Sequence, residues 1–285
     1  MSNHDVQLNQ VAFSYGREDL FSSLDVGLDR GNMYGLLGKN GAGKTTLLKL
    51  IAGLLFPQSG SLDVFGETPE NRTPKLLVDI FFLPEEFFLP GLRIREYVSI
   101  YAPFYPRFDY EMLEHRLDEF QLDKGRKLTA LSYGQKKKFL IAFGLASNAS
   151  LCLLDEPTNG LDIPSKSQFR KVVASSLNEE RLFIISTHQV RDMEFLIDPV
   201  IIIDDGRIIF QESYEEIVRR LTIKHVRSLP ESGELIYSQE EINGYKVVTA
   251  QDGSEETSID LETLFNAVLA DPAGMASVFS KEVIG

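Results

Sequence analysis

Gly38-Lys39-Asn40-Gly41-Ala42-Gly43-Lys44-Thr45-Thr46 fits the phosphate-cradling pattern G-x-x-x-x-G-K-[ST]. Before it, Gly31 to Leu37 reads as a turn and a short apolar strand; after it, Thr46 to Ala52 carries apolar residues at helical spacing. In that strand, loop, helix order, Gly38, Gly41 and Gly43 allow turns that a Cβ forbids, so successive N–H groups converge on phosphate oxygens. The helix starting near Lys44 aims its unsatisfied N–H groups at the same anion. Lys44 supplies a cation for the β and γ phosphates, and Thr45 offers a hydroxyl to Mg²⁺.

Two further apolar strands end in chemistry. Leu151-Cys152-Leu153-Leu154 closes on Asp155-Glu156. Standing alone this would be a buried strand with a solvated acidic turn. Downstream of a phosphate loop, the first acid holds Mg²⁺ through water and the second takes a proton from the attacking water. Leu182 to Ser186 leads into Thr187-His188. Open α/β sheets bind ligands at the carboxyl ends of their strands, so all three strand ends point to one site.

The rest of the chain bounds the possibilities. With 285 residues there is room for one large domain and a smaller one. A net charge of −13 and a pI near 4.9 argue against a general nucleic-acid binder, which needs a basic face. The single cysteine, Cys152, lies in an apolar run, reads as a small buried residue and suits a reducing compartment. The residues from Met1 to Asp5 show no secretory pattern, and no apolar run reaches the length of a membrane span.

Residues 5 to 30 read as a β-rich entry, with Phe13-Ser14-Tyr15-Gly16 at a strand end. There Tyr15 either packs or stacks on a base, and from the residues alone packing is favoured. Pro57 to Ser61 is a loop, followed by strands Ser61 to Gly66 and Ile80 to Leu83. Residues 86 to 145 form an aromatic-rich helical insert, with a helix pattern over Tyr110 to Leu117; its aromatics serve as a small core of their own or as a docking surface. Val200 to Ile203 and Arg207 to Phe210 flank the turn dipeptide Asp205-Gly206 as a hairpin, and a helix over Glu215 to Leu221 follows. From 225 to 285 a small accessory subdomain is expected, with strands at Glu234 to Tyr237 and Tyr245 to Thr249, a turn at Asp252-Gly253, and a helix from Leu261 to Leu269 capped by Asp260.

Between the insert and the acidic strand stands Leu131-Ser132-Tyr133-Gly134-Gln135, heading a helix read from Lys136. With Gly38 to Thr45, Leu151 to Glu156, Asn159-Gly160-Leu161-Asp162 and His188, in that order, it resembles the ATP-binding subunit of an ABC transporter over about residues 5 to 222. Ile259 to Phe265 is similar to the tails of exporter-type subunits.

The resemblance implies an α/β fold: a P-loop nucleotidase core with a mostly parallel sheet, an antiparallel β subdomain, the helical insert and a small C-terminal α+β extension. It implies a nucleotide-binding domain over residues 1–224. Tyr15 matches the aromatic that stacks on adenine, Gly38 to Thr46 the Walker A loop, and Asp155 the Mg²⁺ acid of Walker B. Glu156 matches the catalytic base, Asp162 the D-loop acid, and His188 the switch histidine at the γ-phosphate. Ser132, Gly134 and Gln135 match the signature that reaches ATP held by the other subunit. ATP and Mg²⁺ are the implied cofactors. A transmembrane permease and a second ATPase subunit, identical or different, are the implied partners, which places the chain in the cytoplasm on the inner face of the membrane.

Two positions depart from the family pattern. Tyr133 replaces the first signature glycine, so a backbone that prefers glycine there comes into question. Glu85, followed by Glu86, stands where a glutamine is usual. A carboxylate so near Asp155 and Glu156 is tolerated if Mg²⁺ takes it as a ligand, if it binds a proton, or if it points away; a hard oxygen favours Mg²⁺. The alternatives to a transporter subunit are a soluble ABC-type ATPase, against which one cassette and the acidic charge weigh, and a guanine-nucleotide switch, for which no Asn-Lys-x-Asp element exists.

Overall fold

The computed structural model describes residues 4–229, 235–251 and 259–280. In chain order come β1 (Val6–Tyr15), β2 (Glu18–Leu28), β3 (Met33–Leu37), α1 (Lys44–Ile51), β4 (Ser59–Val64), α2 (Pro74–Leu77) and β5 (Ile80–Leu83). Then follow α3 (Ile94–Tyr101), α4 (Tyr110–Glu119), α5 (Tyr133–Ala146), β6 (Leu151–Asp155), α6 (Ile163–Ala174), β7 (Leu182–Thr187), β8 (Val200–Asp204) and β9 (Arg207–Glu212). The chain continues with α7 (Tyr214–Arg220), β10 (Leu221–Val226), β11 (Leu235–Glu241), β12 (Gly244–Ala250), α8 (Leu261–Ala270) and α9 (Pro272–Ser280).

A six-stranded sheet in the order β5-β6-β7-β3-β8-β9 forms the centre, parallel except for the edge strand β9. Its middle strands are buried on both faces, which is why they read as unbroken apolar runs. Their alternate residues divide between two cores. Leu151, Leu153, Leu182 and Ile184 face α1 and the antiparallel sheet β2-β1-β4, while Cys152, Leu154, Phe183 and Ile185 face the helical insert and α6. Pairing of Leu37 with Thr187 and of Asp155 with Ser186 brings the carboxyl ends of β3, β7 and β6 into one row. Cys152 is buried as expected, with Arg181 donating to its sulfur at 3.0 Å, and burial pushes its thiol up.

The aromatics of the insert divide between a packed core and the surface. Tyr97 and Tyr105 pack with Phe139 and Phe143, and burial pushes both tyrosine hydroxyls up to about 12. Phe88 and Phe104 stand exposed. No helix among the described residues is long and apolar enough to cross a membrane.

Several boundaries differ from the sequence reading. The strand expected from Ser61 begins at Ser59, because pairing with β1 extends into the predicted loop. The signature helix begins at Tyr133 rather than Lys136, because Ser132 caps it. The helix expected to run through Leu221 stops at Arg220, where the chain turns extended into β10 and pairs with β12. The hairpin β11-β12 completes a three-stranded sheet against which α8 packs, Asp260 capping α8 through the Thr263 N–H at 2.7 Å. Glu234 and the Asp252-Gly253 turn lie outside the described residues.

Candidate functional site

β3 delivers the chain at Leu37 to the glycine loop, and α1 starts at Lys44. Gly41 and Gly43 adopt φ of 84° and 107°, left-handed values that an L side chain resists. Gly38 is small for a different reason: a Cβ there would lie 2.6 Å from the Ile203 carbonyl oxygen. Lys44 is buried, and its ammonium donates to the carbonyls of Gly38 (2.7 Å) and Lys39 (3.0 Å), 3.8 Å from Glu156 Oε1. Burial pushes its pKa down, opposed by the carboxylates of Glu156, Asp155 and Glu85.

The acid pair sits directly behind the loop. Asp155 is buried and accepts from Thr45 Oγ1 at 2.8 Å on one oxygen and from Ser186 on the other. Glu156 is 4% exposed and holds a left-handed φ of 45°. Its Oε1 accepts from the His188 backbone N–H at 3.0 Å and lies 2.8 Å from His188 Nδ1. Its Oε2 is buried and has no hydrogen-bond partner among the described residues. The carboxylate is thus anchored through Oε1 at the edge of the phosphate loop, with Oε2 left to pair.

Tyr15, Asn40, Gly41, Gly43, Lys44, Thr45, Thr46, Glu85, Glu156 and His188 line one cleft of about 470 Å³, a size that takes a nucleotide-scale ligand. Tyr15 is half exposed at its rim, edge-on to Phe13 and 3.2 Å through its hydroxyl from Thr46 Oγ1. Gly38, Lys39 and Ala42 belong to the same loop, and Asp155 lies beneath Thr45 without lining the cleft. Glu85 turns toward the cleft, its Oε1 accepting from Asn159 Nδ2 at 2.9 Å.

Ser132, Gly134, Gln135 and Asp162 lie away from this cleft. Ser132 Oγ accepts from the Gln135 N–H at 3.2 Å while Gln135 Oε1 accepts from the Ser132 N–H at 3.1 Å, a reciprocal cap that satisfies the first donors of α5. Ser132 keeps its own hydroxyl proton to donate. Tyr133 takes an ordinary helical place, so the backbone there requires no glycine. Its hydroxyl donates to the Glu85 carbonyl at 2.7 Å, and its ring stacks on Phe87. Gly134 passes close to the next loop, where a Cβ would lie 3.2 Å from the Gly160 carbonyl oxygen. Asp162 caps α6 through the Ser165 N–H at 2.9 Å, and the Ser165 hydroxyl and N–H together hold its carboxyl below the usual range.

Lys137, Asn159, Ser186 and Gln189 also belong to the site, although the sequence pattern gives none of them a role. Asn159 bridges Glu85 to Gln189, whose Nε2 donates to Asn159 Oδ1 at 2.9 Å. Lys137 is fully buried and donates to the carbonyls of Glu156 (2.8 Å) and Asn159 (3.0 Å). A signal for it existed, since positions 137, 140, 141 and 144 share one helical face and the last three are apolar or glycine.

A family model described as ABC transporter matches residues 21–159. The bacitracin transport ATP-binding protein BcrA of Bacillus licheniformis is 32% identical over 219 residues, 75% of this chain and 72% of that protein. The ABC transporter ATP-binding protein YtrB of Bacillus subtilis (strain 168) is 26% identical over 205 residues, 71% of this chain and 70% of that one. Among solved structures, an ATP-binding subunit of an ABC transporter superposes with a TM-score of 0.68 at 25% identity, covering 75% of this chain and 92% of that one.

Proposed function

The chain belongs to the ABC transporter family, among its ATP-binding proteins, and from that premise we propose that it hydrolyses ATP to drive the conformational cycle of a separate transmembrane partner. The observation that carries the hydrolytic part is Glu156, buried beside the phosphate loop, with Oε1 held by His188 and Oε2 unpartnered. An acceptor so placed orients a water and takes its proton as the water attacks the γ-phosphate. Lys44 and the loop N–H groups hold the β and γ phosphates, His188 meets the γ-phosphate, and Tyr15 stacks on adenine.

Thr45 and Asp155, hard oxygen donors 2.8 Å apart, fit Mg²⁺, with Glu85 a third candidate across the cleft. Thr45 and Asp155 would hold the ion with few protein oxygens, which suits an ion that gives up its waters reluctantly. When bound it neutralises charge developing on the phosphates.

Ser132, Gly134, Gln135 and Asp162 face a second ATPase subunit, identical or different, whose nucleotide they cover. An aromatic groove of about 440 Å³, with Phe82, Phe88, Tyr101 and Phe104 in its walls, begins at the strand that leads to Glu85 and seats the membrane partner. Docked there, the chain lies peripherally on the inner face of the membrane. Residues 1–224 form the nucleotide-binding domain with its insert at 86–145, and residues 225–285 the accessory subdomain.

Glu156→Gln keeps the side-chain shape and removes the proton acceptor. ATP binding should persist while turnover falls by about 10² to 10⁴. Undiminished phosphate release in that variant would move the base elsewhere.

A further inference from the structure

Lys137 lies one turn into α5, at the end of that helix headed by Ser132. Its ammonium reaches both ends of the turn that follows β6: the carbonyl of Glu156 and the carbonyl of Asn159. The same Glu156 carbonyl accepts from the Asn159 N–H at 3.2 Å, so the turn is closed once by its own backbone and again by Lys137. The face of Tyr133 covers the third direction, with the ring centroid 5.2 Å from the ammonium. No carboxylate among the described residues bonds to Lys137; Glu85, Glu156 and Asp155 act on it through their field. A fully buried ammonium is costly, and this one is held by main-chain oxygens of the turn that presents Glu156.

That turn needs holding. Glu156 sits at φ 45°, where a non-glycine residue is rarely stable without surrounding contacts to impose it. The left-handed bend aims its carboxylate back at the His188 N–H and the phosphate loop.

We propose that Lys137 is a positioning residue for ATP hydrolysis: it pins the Glu156 to Asn159 turn to α5, so that the aim of the Glu156 carboxylate follows the placement of the signature helix within the same chain. The inference rests on Glu156 being the general base. Lys137 does not line the cleft, and it acts through the Glu156 peptide. Asn159, held at the other end of the same turn, carries the bond to Glu85.

The test compares kcat, and affinity for Mg²⁺-free ATP, in wild type, Lys137→Met, Lys137→Gln, Glu156→Gln and the two Lys137 variants combined with Glu156→Gln. Lys137→Met is expected to lower kcat by about 10-fold to 10²-fold, the scale of a misplaced catalytic group, with ATP affinity within about 2-fold. Lys137→Gln, whose amide still offers two N–H groups, is expected to lose less, and it carries the comparison if Lys137→Met cannot be purified folded. In the Glu156→Gln background neither substitution should lower kcat further, because the group they position has lost its function. A Lys137 loss that multiplies with that of Glu156→Gln, or one expressed only in ATP affinity, overturns the proposal. Wild-type turnover in Glu156→Gln alone removes the general-base assignment beneath it. Wild-type turnover in both Lys137 variants, with Glu156→Gln impaired, removes only the role of Lys137.

Discussion

Replacing Lys137 by methionine should change not only the stability of the protein but the dependence of that stability on pH. Lys137 is fully buried, and burial pushes its ammonium down to about 8, against the pull of Glu85, Glu156 and Asp155. In the unfolded chain a lysine titrates near 10.4. Below about pH 8 both states hold the proton, and the folded state bears the full cost of the buried charge. Between about 8 and 10.4 the unfolded chain holds a proton that the folded one has released, so stability rises with pH across that window. That gap of about 2.4, at 1.36 kcal/mol for each tenfold change in proton affinity, corresponds to about 3 kcal/mol. Lys137→Met has nothing to titrate there. The unfolding free energy of wild type, relative to Lys137→Met, should therefore climb by about 3 kcal/mol between pH 7.5 and 10.5, whatever its sign at the lower end. Subtracting the two curves removes the parallel contribution of Lys44, which burial also depresses. Urea unfolding at half-unit pH steps supplies the measurement. Curves that run parallel would show that the ammonium titrates normally and that its burial is not felt.

Two further outcomes follow from the site. Mixing Lys44→Ala with Ser132→Ala subunits should give mixed dimers with one intact nucleotide site and ATPase activity above either variant alone; activity at the single-variant level in purified mixed dimers would exclude sites shared between two copies. Glu85→Gln should raise the Mg²⁺ concentration needed for half-maximal ATPase while leaving Mg²⁺-free nucleotide binding nearly unchanged, and an unaltered Mg²⁺ titration would take Glu85 out of the metal's surroundings.

The central sheet was legible because its chemistry leaves no other reading. Leu151 to Leu154 and Leu182 to Ile185 are buried on both faces, so every position is apolar, and each strand ends where its polar residues begin. The phosphate loop was legible because few arrangements other than an anion cradle need three glycines and a lysine at that spacing. Lys137 was hidden by its company: in Lys136-Lys137-Lys138 nothing but helical phase separates the buried lysine from its more exposed neighbours. The start of α5 was in reach, since Ser132 and Gln135 stand three apart as a capping pair, and the lysine run drew the boundary to the wrong residue. β10 escaped because Leu221 follows α7 with no glycine or proline between them, and only pairing with the distant strand β12 makes it a strand.

Tyr133, where the family pattern has a glycine, fastens the Glu85 carbonyl and the Phe87 ring to the first turn of α5. The segment that leads into the aromatic groove and the helix end that carries Ser132 are therefore joined by one hydrogen bond and one stacked pair of rings. Thermodynamics then imposes a symmetry on whatever binds at either place. If an occupant of the groove favours one setting of this joined unit, it shifts the affinity of the Ser132 end for an anion by some factor, and an anion at Ser132 must shift the affinity of the groove by the same factor. A glycine at position 133 would have neither hydroxyl nor ring to hold that joint, and the two equilibria could drift apart. With Tyr133 in place, occupancy at either end would register at the other to the extent that this joint holds.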